Sequence, residues 1–181
     1  MKIWKLQADA NNYNNFTEVN ERDVNVLIDI NSFNGLPMKN RWVPMRVKIR
    51  EELQEGDMQA FFAGVPVFNR RAINILQDLL SDKVELLELD YDNNDYYVVN
   101  ILQVLDCIDY QLAVPVKFDD GTIWRFEKYA FRIEEIQDKH IFKNINETKG
   151  FALVSDAFRD RVIQNNLKGF LFTELWDSDN P

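Results

Sequence analysis

An α+β fold, mainly antiparallel sheet with a few packed helices, follows from three features of this 181-residue chain. Apolar and polar residues alternate in several short runs, the period of a half-buried strand. Two stretches, one after Asn69 and one after Ser155, show helical spacing behind a side chain suited to cap a helix. Finally, Asp120–Gly121 separates two apolar runs, the pattern of a tight hairpin.

The elements can be justified in order. Ile3–Leu6 reads as a short first strand, and "NNYNN" at 11–15 as a loop. In "DVNVLIDI", Val24, Val26, Ile28 and Ile30 alternate with Asn25, Leu27 and Asp29, a period-two strand. Gly35 and Pro37 then break the chain into a turn. In "VPMRVKI", Met45, Val47 and Ile49 oppose Arg46 and Lys48; Pro44 lacks an amide donor, which places it at a strand edge or start. "EELQEGD" is a turn ending at Gly56.

Residues 66–89 form a cleaner unit. Asn69 is a candidate N-cap, Ala72, Ile73, Leu76, Leu79 and Leu80 share one helical face, and Val84 and Leu86 open a strand. Residues 153–175 repeat it: with Ser155 set on Asn69, Phe158 falls on Ala72, Val162 on Leu76, Phe170 on Val84 and Phe172 on Leu86. Both stretches read as scaffold, and Ser155 as a cap rather than a nucleophile, since no Gly-x-Ser-x-Gly elbow surrounds it. Between the units, "YYVVNILQVL" at 96–105 is apolar on both faces, as a central strand is. Val114, Val116 and Phe118 flank the Asp120–Gly121 turn on one side, Trp124 and Phe126 on the other. "YAFRIEEI" reads as a further strand, with Phe131 and Ile133 on one side and Arg132 and Glu134 on the other; "HIFKNI" is a partner for it, and "LWDSDNP" a frayed tail.

Composition narrows the function. The net charge of −9 opposes non-specific binding to nucleic acid, which needs cations to displace counterions from phosphate. It suits solubility or a basic protein partner. No run approaches the ~18 apolar residues of a membrane helix, and "MKIWKLQAD" lacks the pattern of a signal peptide, so the expected compartment is the cytoplasm. The single cysteine, Cys107, rules out an internal disulfide and reads as a buried, inert thiol.

Candidate chemistry is sparse. His140 is the only histidine, so a serine- or cysteine-based site would have to use it. Asp90, Asp92 and Asn94 take positions one, three and five of a calcium loop. Position six is Asp95 instead of glycine, and position twelve is Ile101 instead of glutamate. No Gly-x-Gly cradle for phosphate occurs. The expectation is therefore no catalytic, cofactor-binding or metal site. The acidic turns Asp90, Asp92, Asp95, Asp119 and Asp120, with Glu134 and Glu135, are the candidate partner-binding residues. Trp4, Trp42, Trp124 and Trp176 read as core or rim rather than a ligand cage, although an exposed aromatic beside acids is also how a protein-binding hot spot is built.

Residues from about 96 to 172 carry a resemblance. "YYVVNILQVLDCIDYQ", "WRFEKYAFRIEEIQDKHIFK" and "FALVSDAFRDRVIQNNLKGFLF", in that order, resemble the bacterial polymorphic-toxin immunity family numbered eleven. The marks are the "YxVxNILxVLDxID" segment, Ile141–Phe142, and Val154, Ser155, Gly169 and Phe172 of the ending; "IFKN" departs from the usual pattern. The resemblance implies a cytoplasmic immunity protein, without cofactor, that neutralises a cognate toxin by stoichiometric contact. A general binding or scaffold module, or a hydrolase built on His140, are the rivals. It also suggests a variable N-terminal lobe, 1–66, joined to a family-like region, 67–181, or one compact domain overall.

Overall fold

The computed structural model describes residues 1–19, 33–91 and 95–180. The strand expected at Val24–Ile30 lies outside them. In chain order the elements are β1 (Lys2–Ala8), β2 (Asn15–Glu18), β3 (Met45–Glu51), β4 (Met58–Gln59), β5 (Val67–Asn69), α1 (Arg70–Leu80), β6 (Val84–Asp90) and β7 (Tyr96–Ile101). They continue with β8 (Val104–Leu105), β9 (Val114–Lys117), β10 (Ile123–Lys128), α2 (Ile133–Ile136), β11 (Ile141–Asn144), β12 (Leu153–Ser155), α3 (Asp156–Gln164) and β13 (Phe170–Asp177). This is an α+β fold.

Two mixed sheets, largely antiparallel, form its frame. One runs β2-β3-β6-β7-β5-β4, the other β13-β1-β12-β11-β8, and β9 and β10 make a separate hairpin. The repeat seen in the sequence is visible in both sheets. In the first, α1 links β5 to β6, and β7 lies between these strands, antiparallel to each. In the second, α3 links β12 to β13, and β1 lies between them in the same way. Each unit is preceded by an antiparallel partner strand, β4 for β5 and β11 for β12. Both expected caps form: Asn69 Oδ1 accepts the Ala72 amide at 2.9 Å, and Ser155 Oγ accepts that of Phe158 at 3.3 Å.

The five residues assigned to the apolar face of α1, Ala72, Ile73, Leu76, Leu79 and Leu80, are all buried. They join Phe158 and Val162 of α3, Leu6 of β1, Phe68 of β5, Tyr97 and Val99 of β7, and Val154 of β12 in one apolar cluster. Each sheet therefore turns its helix toward a shared core, where burying a Leu or Phe contributes about 1.5–3 kcal/mol. The opposite faces carry separate clusters. Val67, Tyr96 and Val98 pack with Phe16, Met45 and Leu89; Ile3, Phe142 and Leu153 pack with Cys107, Phe126, Phe131 and Trp176. All six residues of β7 are buried, and its apolar ones alternate between two cores, while Asn100 donates to the Leu36 carbonyl and to Glu85.

Two arginines tie the helices end to end. Arg71, at the start of α1, reaches the Asn165 carbonyl beyond the end of α3; Arg161 of α3 reaches the Ile75 carbonyl and Asp78 of α1.

Three expectations need correction. The apolar run 96–105 is not one strand: β7 stops at Ile101, and the amides of Leu102 and Gln103 both turn to the Lys83 carbonyl. Beyond this bend β8 pairs in parallel with β11 of the other sheet. "YAFRIEEI" is not a strand. Phe131 makes a single bridge to Ile108, and Ile133–Ile136 is a helical turn. Arg132 explains the break, since its guanidinium binds the Asp106 and Ile108 carbonyls, while Glu134 and Glu135 sit where the helix dipole favours acids. β11 accordingly pairs with β12 and β8. The C-terminal segment is not frayed: Trp176 is buried, and Ser178 bonds the Met1 carbonyl through its amide and the Met1 ammonium through its hydroxyl.

Candidate interaction surface

The β9–β10 hairpin stands apart from both sheets. Its turn is closed by two backbone bonds, Phe118 N–H to Thr122 O and Gly121 N–H to Phe118 O, each 2.9 Å. Gly121 has φ +84°, the left-handed conformation that the Asp–Gly pair supplies. Asp120 accepts both the amide and the hydroxyl of Thr122, at 2.9 and 2.6 Å. These hydrogen bonds, the hydroxyl's first, hold its carboxyl below the ordinary carboxylate range. Asp119 beside it is exposed.

The hairpin is anchored through Phe126, which packs with Ala113, Ala130 and Phe131. Phe118 and Trp124 point the other way, 54% and 57% exposed, with ring centroids 6.0 Å apart. The Arg125 guanidinium lies over the Trp124 ring at 5.2 Å. Tyr110, Leu112 and Val114, which lead into the hairpin, are also exposed. Exposed aromatic rings thus stand beside acids at 118–124, on the hairpin that the paired apolar runs and the Asp–Gly turn announced.

The other acidic candidates lie elsewhere. Glu134 and Glu135 occupy the exposed first turn of α2; Glu134 borders a cleft with Tyr110, Arg132 and Ile133. Asp90 ends β6, and Asp95 precedes β7, on the six-stranded sheet. Asp90 is 4.0 Å from Arg46 Nε. Asp92 lies outside the described residues. The candidates therefore fall on two bodies of structure: the β6–β7 connection, and the hairpin with α2.

Beside Asp95 is a pocket of about 220 Å³ that sequence spacing gave no means of finding. Phe16, Glu55, Gln59, Tyr91, Asp95 and Tyr96 line it, drawn from β2, the β3–β4 connection, β4 and the β6–β7 region. Tyr96 Oη lies 3.2 Å from Glu55 Oε1, and burial pushes its pKa up to about 12, so it stays protonated.

His140 and Ser155 meet, Nδ1 to Oγ at 3.0 Å. The geometry is structural. Ser155 Oγ is the cap of α3 and largely buried, and the Ser155 amide binds the His140 carbonyl. Cys107 is fully buried, and burial raises its thiol to about 12. Such a thiol carries almost no thiolate at neutral pH. Among the described residues no helix is long and apolar enough to cross a membrane.

No curated protein matches the chain. A model of the Imm11 immunity protein family matches residues 11–177, taking in the N-terminal stretch where the sequence showed little of the resemblance. With nearly its whole length matched, the chain belongs to the Imm11 immunity protein family.

Proposed function

We propose that the protein neutralises one cognate toxin by binding it stoichiometrically in the bacterial cytoplasm, without catalysis or a cofactor. The family match supports the immunity role. The contact surface is the β9–β10 hairpin, and the exposed Phe118–Trp124 pair beside Asp119 and Asp120 is the observation that carries it. Aromatic rings on a preformed turn supply apolar contact at little entropic cost. The acids, with Glu134 and Glu135 on α2 and Asp90, Asp92 and Asp95 at the β6–β7 connection, steer a basic toxin surface by long-range attraction.

The test uses the toxin encoded next to this gene. Co-expression should restore growth, and the purified pair should form a complex of fixed stoichiometry. Trp124→Ala should weaken that complex by about 2 kcal/mol or more, the scale of an interface hot spot, with the thermal midpoint unchanged. Asp119→Lys with Asp120→Lys should slow association roughly tenfold at low salt. Unaltered affinity and rate in both variants would remove the hairpin from the interface; failure of wild type to bind or protect would remove the proposal.

A further inference from the structure

The two units of the repeat agree in register as well as in order. Met58 pairs with Phe68 as Ile141 does with Val154. Asn69 pairs with Tyr96 as Ser155 does with Ile3. Leu86 pairs with Val99 as Phe172 does with Leu6. β13 therefore stands in its sheet where β6 stands in the other, and Glu174 corresponds to Glu88.

The agreement stops at the outer edge. Along β6 that edge is covered: the Trp42 indole donates to the Glu88 carbonyl at 2.7 Å, and Met45 and Arg46 of β3 pair in parallel with Leu89 and Asp90. β13 is the last strand of its sheet. Among the described residues, the backbone of 170–176 pairs with β1 and with no other segment. An open edge is a row of unpaired amides and carbonyls ready to take another strand, and proteins commonly guard it with lysine, proline or a cover. β13 has eight residues and carries no lysine, arginine or proline. Leu171 and Thr173 are exposed along it.

The repeat and the charges say what fits. β3, the strand that occupies the equivalent edge, alternates apolar Met45, Val47 and Ile49 with basic Arg46, Lys48 and Arg50. Its partner β6 carries acids, and Arg46 Nε lies 4.0 Å from Asp90. The only charges of β13 are also acids, Glu174 and Asp177. They share one cation, Lys2, at 2.8 and 3.1 Å, and so keep an excess of negative charge. Strand addition of this kind draws affinity from backbone pairing and specificity from alternate side chains.

We infer that the outer edge of β13 receives an extended segment of the toxin as an added parallel strand, one that alternates apolar and basic residues as β3 does. The inference rests on the immunity reading and adds a backbone-paired contact to the hairpin.

The test starts with the isolated protein and a blocked peptide of β3's own sequence, "MRVKIRE", beside the same peptide with glutamate at its basic positions. In an NMR titration the basic peptide should shift the amides of β13 and slow their exchange with solvent, and the acidic peptide should bind several-fold more weakly. Equal binding of the two overturns the chemistry; shifts at β6 instead of β13 overturn the site. Leu171→Lys, at an exposed position, should weaken the basic peptide about tenfold with the thermal midpoint unchanged, whereas Leu171→Glu should not weaken it. Ile163→Lys places the same lysine on α3, also exposed, and should have no effect. Equal loss in both Leu171 variants, or loss in Ile163→Lys, overturns the edge. In the toxin arm, hydrogen exchange in β13 should slow in the complex, and Leu171→Lys should bind about tenfold more weakly. A complex that leaves β13 unprotected overturns the contact. A wild-type dimer that Leu171→Lys dissociates overturns the assignment to the toxin, because a second copy then fills the edge. A toxin that wild type never binds defeats the immunity reading, while the peptide titration still decides the edge.

Discussion

Lys143 shows how a single residue departs from its pattern. It sits in β11, 2% exposed, with its ammonium 2.7 Å from the carbonyl oxygens of both Phe33 and Thr148. Burial lowers its pKa to about 8 from an ordinary 10.5. The folded chain thus releases this proton more readily than the unfolded chain. Below pH 8 both forms are protonated and the buried charge costs stability; between pH 8 and 10.5 that cost is relieved, by about 3 kcal/mol in total as an order of magnitude. Tyr96 and Tyr129 oppose it above pH 10, since burial raises both phenols and their contribution is lost as pH climbs toward the folded values. Between pH 8 and 10, then, wild type should gain stability relative to Lys143→Met, measured by urea unfolding at each pH. Parallel curves would contradict this. The sequence marks Lys143 only as a departure, in "IFKN", from what usually follows the family's "IF". Its burial depends on the carbonyls of Phe33 and Thr148, far from and near to it in the chain, and spacing cannot report them.

Individual elements were readable where they declared themselves locally. The two capped helices, the Asp–Gly hairpin and the alternating strand Met45–Glu51 carry their reasons within a few residues. Asn69→Ala and Ser155→Ala should each cost about 1 kcal/mol in a denaturation experiment, the usual worth of an N-cap. Each change also removes a second contact, to Asp57 from Asn69 and to His140 Nδ1 from Ser155, so neither should cost less than a cap alone. A cost well below about 1 kcal/mol in either variant would mean that its cap contributes nothing. The elements misread were those decided from elsewhere. The strand through 96–105 is bent by the Lys83 carbonyl, and the strand through Phe131 is cut short by carbonyls that hold Arg132. For the proposed interface, the turn acids were legible as a charge pattern, whereas the exposure of Trp124 among four tryptophans was not. The Glu55–Gln59–Tyr96 pocket was not, because it assembles from four separate segments.

At the scale of the whole molecule, Asp57 joins the two sheets. Its carboxylate accepts the Asn69 side-chain amide at 3.1 Å, Arg71 at 2.7 Å and the Lys168 amide at 2.8 Å. Its own amide binds the Lys168 carbonyl, and its carbonyl binds the Asn69 amide. Next to it, Gly169, at φ +85°, presses on the Met58 carbonyl so closely that an added Cβ would lie 2.1 Å from the oxygen. The start of α1 and the approach to β13 thus share one buried anion, while both helices fill one core. Asp57→Ala should cost about 3 kcal/mol, because it takes the acceptor from the Asn69 and Lys168 amides, at ~1–3 kcal/mol for each buried donor left unmatched. Hydrogen exchange should speed by the same factor in β7 and in β1. Loss of protection in one sheet alone would show two independently folding halves.

The position of β1 also sets when a growing chain can finish its structure. Its hydrogen-bonding neighbours are Leu153–Ser155 and Phe170–Asp177, so β1 stays unpaired until both of these segments have been made. Nascent fragments ending before residue 170 lack one side of that sheet altogether. In stalled nascent chains, protection of the β1 amides from hydrogen exchange should therefore appear abruptly, once Asp177 has been made, rather than build up as the polypeptide lengthens.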